Sequence, residues 1–161
     1  MSNLTFPALI VAAVGSGLIG GFLFGFSNSI MAGLARLPPP QGIAAMQNIN
    51  IAVINPLFLA AFTGTALLSL GIGGMALMRL GEAGAMLTLV AAMLYVIGTF
   101  GITMAINVPM NDALAAVGPQ DASSGPLWAN YLQEWTRWNH VRSVAALAAA
   151  ALFAIAAANV G

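Results

Sequence analysis

The sequence predicts an all-α integral membrane protein: a four-helix bundle with up-down topology and short interfacial helices in its two long connections. Of its 161 residues, 60% are hydrophobic and only 5% are charged. A water-soluble domain carries about a quarter charged residues, far more than this chain has. Four apolar segments reach the roughly 20 residues that cross a hydrocarbon core of about 30 Å. We therefore expect one four-span domain over residues 1–161, embedded in a lipid bilayer.

One short turn and two long connections separate the predicted spans. The spans cover residues 6–34, 55–78, 83–106 and 139–160. The first lacks the basic flank of a signal peptide and is longer than its apolar core of about 7–15 residues, so we expect it to be retained. The hairpin "RLGEAG" is so short that the second and third helices must be antiparallel neighbours. Both long connections follow odd-numbered spans and therefore lie at the same end of the bundle.

The two long connections hold nearly all the polar residues. The first, residues 35–54, opens with "RLPPP", whose prolines end the first helix. A short helix is predicted to follow, and Asn55 before Pro56 indicates a fresh helix start. The second connection, residues 107–138, contains "NVPMN" and the loop "GPQDASSGP". A helix is expected to restart near Pro126.

One face of this restarted helix carries aromatic side chains and an arginine, separated by three or four residues. They are Trp128, Tyr131, Trp135, Trp138 and Arg142. One interpretation is an aromatic belt at the membrane–water interface. The other is a wall of flat rings beside a guanidinium, which suits an aromatic or quinone-like ligand that carries negative charge. The two interpretations are compatible.

Arg142 lies inside the fourth predicted span. An ionisable side chain is costly there, usually faces the bundle interior or water, and by default indicates a functional site. Its partner is expected to be Glu134, Asp112 or a ligand.

His140 is the only histidine of the chain. At about 100° per residue it lies roughly 200° around the helix from Trp138, so a straight helix points it away from the aromatic face. A break near Asn139 would relax this constraint. His140 is either a hydrogen-bonded structural residue or a functional one.

Uncharged polar side chains collect at the level of the long connections. Ser27, Asn28 and Ser29 lie near the end of the first span. Asparagines at a similar depth are Asn50, Asn55, Asn107 and Asn111. Buried amides need partners among one another, the backbone, water or a bound molecule. This clustering predicts a site at that end of the bundle.

The first span carries a small residue at every fourth position. These are Gly17, Gly21, Gly25, Ser29 and Gly33. Such spacing lets helix backbones approach closely in lipid, which predicts tight helix packing. A purely structural unit or transporter subunit would use the Gly17/Gly21/Gly25 face to form a homo-oligomer.

Composition excludes several classes of function. A net charge of zero leaves no basic face for nucleic acid. The absence of cysteine excludes disulfides, iron–sulfur clusters and thiolate sites. One histidine cannot supply two imidazole ligands to haem, and it disfavours a histidine-rich zinc or copper site. We predict no metal and no cofactor, with haem or quinone as alternatives.

Four segments of the chain are distinctive in combination: "FGFSNSIM", "LPPPQGIAAMQNINIAVINPLF", "INVPMN" and "LWANYLQEWTRWNHVR". Together they resemble the membrane family that includes the fungal anthrone oxygenases. The resemblance covers essentially the whole chain, and its most specific part is W-x-x-W-N-H-V-R with N-V-P-x-N and M-Q-x-I-N. It implies a four-helix membrane protein. Some members oxidise an anthrone to an anthraquinone with dioxygen and no known metal or flavin, and many bacterial members have no assigned activity.

The residues are compatible with that chemistry. Removing a proton from an anthrone-like carbon gives a delocalised anion that can itself pass an electron to oxygen, so the protein needs a base, a cation or donors, and flat walls. We predict His140 as the base, because imidazole exchanges protons near neutral pH, and Arg142 as the anion stabiliser. The predicted substrate-binding residues are Asn28, Asn50, Asn55, Asn107, Asn111, Trp135, Trp138 and Asn139. The alternative is a non-catalytic membrane protein that binds a quinone, haem or a partner protein.

Orientation follows from four arginines. Arg36, Arg137 and Arg142 belong to the side of the long connections, and Arg79 belongs to the other. The positive-inside rule then places the long connections in the cytoplasm. We expect the protein in the inner (cell) membrane of a bacterium.

Overall fold

Prolines and tight turns divide the chain into helices. The computed structural model describes residues 5–160, and within that range there are five helices and no strand. The helices are α1 (Thr5–Leu34), α2 (Pro39–Val53), α3 (Pro56–Leu77), α4 (Ala85–Ala115) and α5 (Ser124–Ala158). Four of them, α1, α3, α4 and α5, are long and apolar enough to cross a membrane. The predicted all-α membrane bundle is confirmed.

Local chemistry sets the helix boundaries. Pro39 begins α2, in the first turn, where a missing N–H leaves no bond unmade. Asn55 is extended, and its side chain accepts a hydrogen bond of 3.0 Å from the Phe58 N–H, which caps α3. Gly84 precedes α4 with a φ of 79°, a left-handed conformation that favours glycine. The fresh helix start predicted at Asn55 agrees with this structure.

The second long connection is more helical than the sequence suggested. Helix α4 continues past the predicted span end at residue 106 to Ala115, and α5 is unbroken from Ser124, so no separate interfacial helix lies between them. Pro109 is tolerated in α4 because the π-helical turn directly before it already interrupts the regular hydrogen-bond ladder. At 1.5 Å per residue, the 35 residues of α5 span about 52 Å, well beyond the hydrocarbon core.

Two apolar clusters form the core. The first lies among the four spanning helices, where α5 contributes mainly alanines and Phe153, and α1 contributes Leu9 and Ile19. The second lies at the end with the long connections, where α2 covers the start of α5. Its buried members are Phe26, Met31, Leu34, Ile43, Met46, Leu114, Trp128, Tyr131 and Trp135. The bundle is therefore closed at that end by protein.

Helices α1 and α5 approach each other closely at Gly20. A Cβ at Gly20 would lie 2.8 Å from Leu147 Cδ2 and 3.1 Å from the Leu147 backbone nitrogen. Of the glycines in the predicted stripe, only Gly17 lies against another helix, where a Cβ would meet Ala150 Cβ at 3.8 Å, whereas a Cβ at Gly21 or Gly25 would meet nothing within 4 Å. The close contact between α1 and α5 requires a glycine at position 20, which is one position away from the stripe. A homo-oligomer formed through the stripe stays a prediction.

Candidate functional site

Arg142 is buried near the middle of α5, with 4% of its surface exposed. Its Nη1 donates to Thr103 Oγ1 at 3.0 Å, and its Nη2 donates to Asn139 Oδ1 at 2.8 Å. The guanidinium carbon lies 5.1 Å from the centre of the Trp135 ring, within cation–π range. Its Nε has no hydrogen-bond partner in the part of the chain that the structure describes. The cation thus makes three contacts, and one of its three nitrogens, Nε, has no hydrogen-bond partner among the described residues.

No carboxylate pairs with Arg142 among residues 5–160. The two ion pairs in this range join Arg79 to Glu82 and Arg137 to Glu134, the latter at 3.8 Å. The prediction that Glu134 or Asp112 is the partner of Arg142 is therefore wrong: Glu134 faces Arg137, and Asp112 is exposed. Removing a charge from water without an opposite charge is costly. Of the three predicted partners, only a ligand is left.

The Arg142 neighbourhood is built on distorted helical turns. π-Helical turns occur rarely and frequently lie at functional sites. Ser27, Thr99 and Thr103 all belong to such turns and join the hydrogen-bond network of Arg142 and Asn139. The turns are Phe26–Ile30, Leu94–Gly101 and Thr103–Asn107. Helix α1 is therefore distorted where it meets Asn139, and α4 is distorted where it meets Arg142.

A second polar group lies toward the start of α5. Asn111 Oδ1 accepts hydrogen bonds from the Tyr131 hydroxyl at 2.7 Å and from Trp135 Nε1 at 2.9 Å. Asn50 of α2 lies beside the same hydroxyl. Asn107 donates to the Trp135 carbonyl at 3.3 Å, and its own buried Oδ1 has no partner within the described range. Trp135 thus links this group to the cation.

The aromatic face of α5 points into the protein. Trp128 stacks on Tyr131 at 5.6 Å, and Tyr131 stacks on Trp135 at 5.9 Å, with all three rings buried. A membrane-interface belt would be exposed, so that interpretation is wrong for these three rings, which α2 covers. Phe26 and Arg142 also contact Trp135. A ligand that stacks on Trp135 must therefore displace one of its neighbours.

The structure brings together some of the predicted residues and not others. Asn107, Asn111, Trp135, Asn139 and Arg142 form one connected neighbourhood, with Asn50 at its edge. The remaining predicted residues lie apart: Asn28 and Asn55 are exposed, and Trp138 is half-buried. The sequence places Ser27 and Tyr131 in this region without assigning them a role, and it does not single out Thr99 and Thr103, although threonine and asparagine at every fourth position of α4, 99, 103 and 107, are a signal for them.

His140 is exposed on the side of α5 away from Arg142. The continuous helix allows no break near Asn139 that would turn it inward. In this conformation the imidazole cannot contact a ligand held by Arg142, so the predicted pairing of the two side chains in one site is not found. Within residues 5–160 there is no group of three or more His, Asp or Glu side chains that could hold a metal ion.

A groove of about 480 Å³ opens on the outer surface between α1, the end of α2 and the start of α3. Its walls include Phe22, Phe26 and Phe58, and Asn55 is the one polar residue that lines it. Phe22 lies 5.2 Å from both Phe26 and Phe58, measured between ring centres, and Phe26 lies 5.6 Å from Trp135. Phe26 therefore stands between the groove and the indole that covers Arg142.

Comparison with known proteins gives one match. The family model described as anthrone oxygenase matches residues 45–152, which is more than half of the chain. The match includes α3, α4, Asn139 and Arg142, and all of α1 lies outside it. No curated protein and no solved structure shows significant similarity.

Proposed function

Because the chain belongs to the anthrone oxygenase family, we propose that it oxidises a flat, lipophilic aromatic substrate of the anthrone type with dioxygen. One observation carries the proposal: the buried guanidinium of Arg142 has no carboxylate partner among the described residues and keeps Nε unused. Such a cation is suited to an oxygen atom that becomes negative during the reaction.

Oxidation of an anthrone by dioxygen depends mainly on stabilising the enolate anion of the substrate. Transfer of a proton from the methylene carbon of an anthrone to water places negative charge on its carbonyl oxygen, where Arg142 would hold it. The electron-rich carbon passes electrons to dioxygen and forms a carbon–oxygen bond, and protonation of the distal oxygen gives a hydroperoxide. Loss of water then leaves a second carbonyl, so that CH₂ and O₂ become C=O and H₂O. The residues of the chain supply electrostatic stabilisation and orientation.

The groove supplies a route for such a substrate. It faces the outside of the spanning helices, its walls are almost entirely apolar, and its aromatic rings continue through Phe26 to Trp135. A polycyclic molecule dissolved in the bilayer would enter between α1 and α3 and reach Arg142 when Phe26 moves aside. We assign no contact with the substrate to His140, because it is exposed elsewhere on α5.

The test measures oxygen uptake and quinone absorbance with anthrone and protein purified into lipid nanodiscs. Wild type should exceed the buffer rate, and Arg142→Gln should lower the rate roughly 100-fold, as expected for loss of a donor to an oxyanion. Arg142→Lys keeps the charge and should retain part of the rate. Arg79→Gln removes an exposed arginine at the other end and is the matched control. Equal rates for wild type and buffer would contradict the proposal.

A further inference from the structure

A neutral amide occupies the position beside Arg142 where a counterion would be expected. Asn139 is fully buried, and its Oδ1 accepts the hydrogen bond from Arg142 Nη2. Its Nδ2 donates to the Leu23 carbonyl and to Ser27 Oγ, both at 2.8 Å. An amide has separate donor and acceptor ends, so these three contacts determine which end faces the guanidinium. An aspartate in this place could not make the two bonds to α1 as a donor.

The second partner of the guanidinium is also neutral. Thr103 donates its own hydroxyl hydrogen to the Thr99 carbonyl at 2.6 Å, so its lone pairs are free to accept from Arg142 Nη1. Both contacts orient the guanidinium and leave its charge intact. The titratable group that interacts with it is the Tyr131 hydroxyl on the same helix, which donates to Asn111. No Asp or Glu of α1, α4 or α5 in the described range forms an ion pair with it.

We propose that Asn139 is a positioning residue that holds Arg142 without neutralising it, so that the site binds planar aromatic oxyanions, such as phenolates or enolates, in preference to their protonated forms. The inference rests on the proposed function and makes it more specific, because it assigns the selection of the charged ligand to Asn139. An aspartate at position 139 would place a carboxylate beside Arg142. The anionic ligand would then no longer bind in preference to its protonated form.

The test uses a monohydroxyanthraquinone, whose visible absorption distinguishes the phenol from the phenolate. Bound to wild type in nanodiscs, the probe should ionise at a pH about 1–3 units lower than in empty nanodiscs, the shift produced by an opposite charge within about 6 Å. Asn139→Asp should abolish this downward shift. Asn48→Asp makes the same chemical change at an exposed position of α2 that does not line the groove, and it should retain the shift.

A second variant protects the test against misfolding. If Asn139→Asp does not fold, as judged by its thermal transition, Thr103→Asp places a carboxylate against Nη1 from α4 instead. This variant should abolish the shift as well. A downward shift that persists at the wild-type size in folded Asn139→Asp or folded Thr103→Asp would overturn the inference. It would equally be overturned if wild-type protein gave no shift.

The inference and the proposed function fail separately. A wild-type shift that Asn139→Asp removes, without oxidation of anthrone, supports the oxyanion site and contradicts the oxygenase activity. Anthrone oxidation at equal rates by wild type and Asn139→Asp supports the activity and overturns the role of Asn139.

Discussion

A guanidinium between membrane helices carries a large desolvation cost, which two neutral hydrogen bonds and one aromatic ring offset only in part. Arg142 makes these three contacts and keeps Nε unused. Replacing the ring or either hydrogen-bond partner would leave the cation less well held without removing its charge. These contacts therefore fix the orientation of the guanidinium and leave its positive charge without an anion among residues 5–160.

The variant His140→Gln tests whether His140 acts as the catalytic base. The sequence suggested a catalytic base, whereas the imidazole is exposed on the far side of α5. Exposed substitutions usually change the free energy of unfolding by about 0.5 kcal/mol or less, so the variant should fold like wild type, and because the imidazole does not face Arg142 we expect the rate of anthrone oxidation to stay within roughly twofold of wild type. Oxygen uptake measures this. A loss comparable to that of Arg142→Gln would restore the base assignment and require α5 to rotate or unwind.

The sequence identified Arg142 as the central side chain but not its partners. Hydropathy and the cost of burying charge point directly to an arginine inside a span. Its contacts with Thr103 of α4, and those of Asn139 with Ser27 of α1, join residues far apart in the chain, and short-range spacing cannot specify them. Helical angles did predict that His140 points away from the aromatic face.

Filling the groove should impair access without touching Arg142. Ala61 is half-buried and lines the groove, whereas the neighbouring Ala60 is exposed outside it. We expect Ala61→Trp to lower kcat/KM for anthrone roughly tenfold or more, as loss of 1–3 kcal/mol of apolar contact would do. Ala60→Trp adds the same indole to the same helix and serves as the control. Equal kcat/KM values for the two variants would exclude the groove as the route.

Adjacent glycines of α1 should respond in opposite ways. A methyl group at Gly20 would meet the Leu147 backbone, which cannot move without separating α1 from α5, whereas one at Gly21 meets open space. Gly20→Ala should reduce stability by about 1–3 kcal/mol, the usual cost of overpacking. Gly21→Ala should leave stability unchanged or slightly higher, because alanine favours helix. Unfolding in mixed detergent micelles measures both, and matching losses would refute the packing described here.

Helices α4 and α5 are longer than hydropathy alone predicts. Hydropathy detects the part of a helix that lies in hydrocarbon, and it located all four spans. It is silent on the first part of α5 and the last part of α4, which continue as regular helix beyond the apolar segments and pack against α2. Pro109 lies within α4 directly after a π-helical turn, and α2 packs against the extended parts of both helices, two features that local hydropathy does not reveal.

Orientation in the membrane can be tested in intact cells because the chain contains no cysteine. The arginine distribution predicts that the long connections are cytoplasmic. Gln120→Cys, in the loop before α5, should therefore resist a membrane-impermeant maleimide, and Gly81→Cys, in the opposite hairpin, should react. Both positions are exposed, so permeabilised cells should label both. The reverse pattern in intact cells would place the long connections outside.

The polar contacts of α5 also bear on how the chain enters the bilayer. Asn139 reaches Leu23 of α1, and Arg142 reaches Thr103 of α4. The ribosome makes both earlier helices first, so their acceptors are already in lipid when α5 leaves the translocon. Inserting an arginine without partners costs about 2.5–3.5 kcal/mol, and hydrogen-bond acceptors that are already in the membrane lower that cost. Because α5 is synthesised last, its charged segment enters the membrane after the groups of α1 and α4 that hydrogen-bond with it.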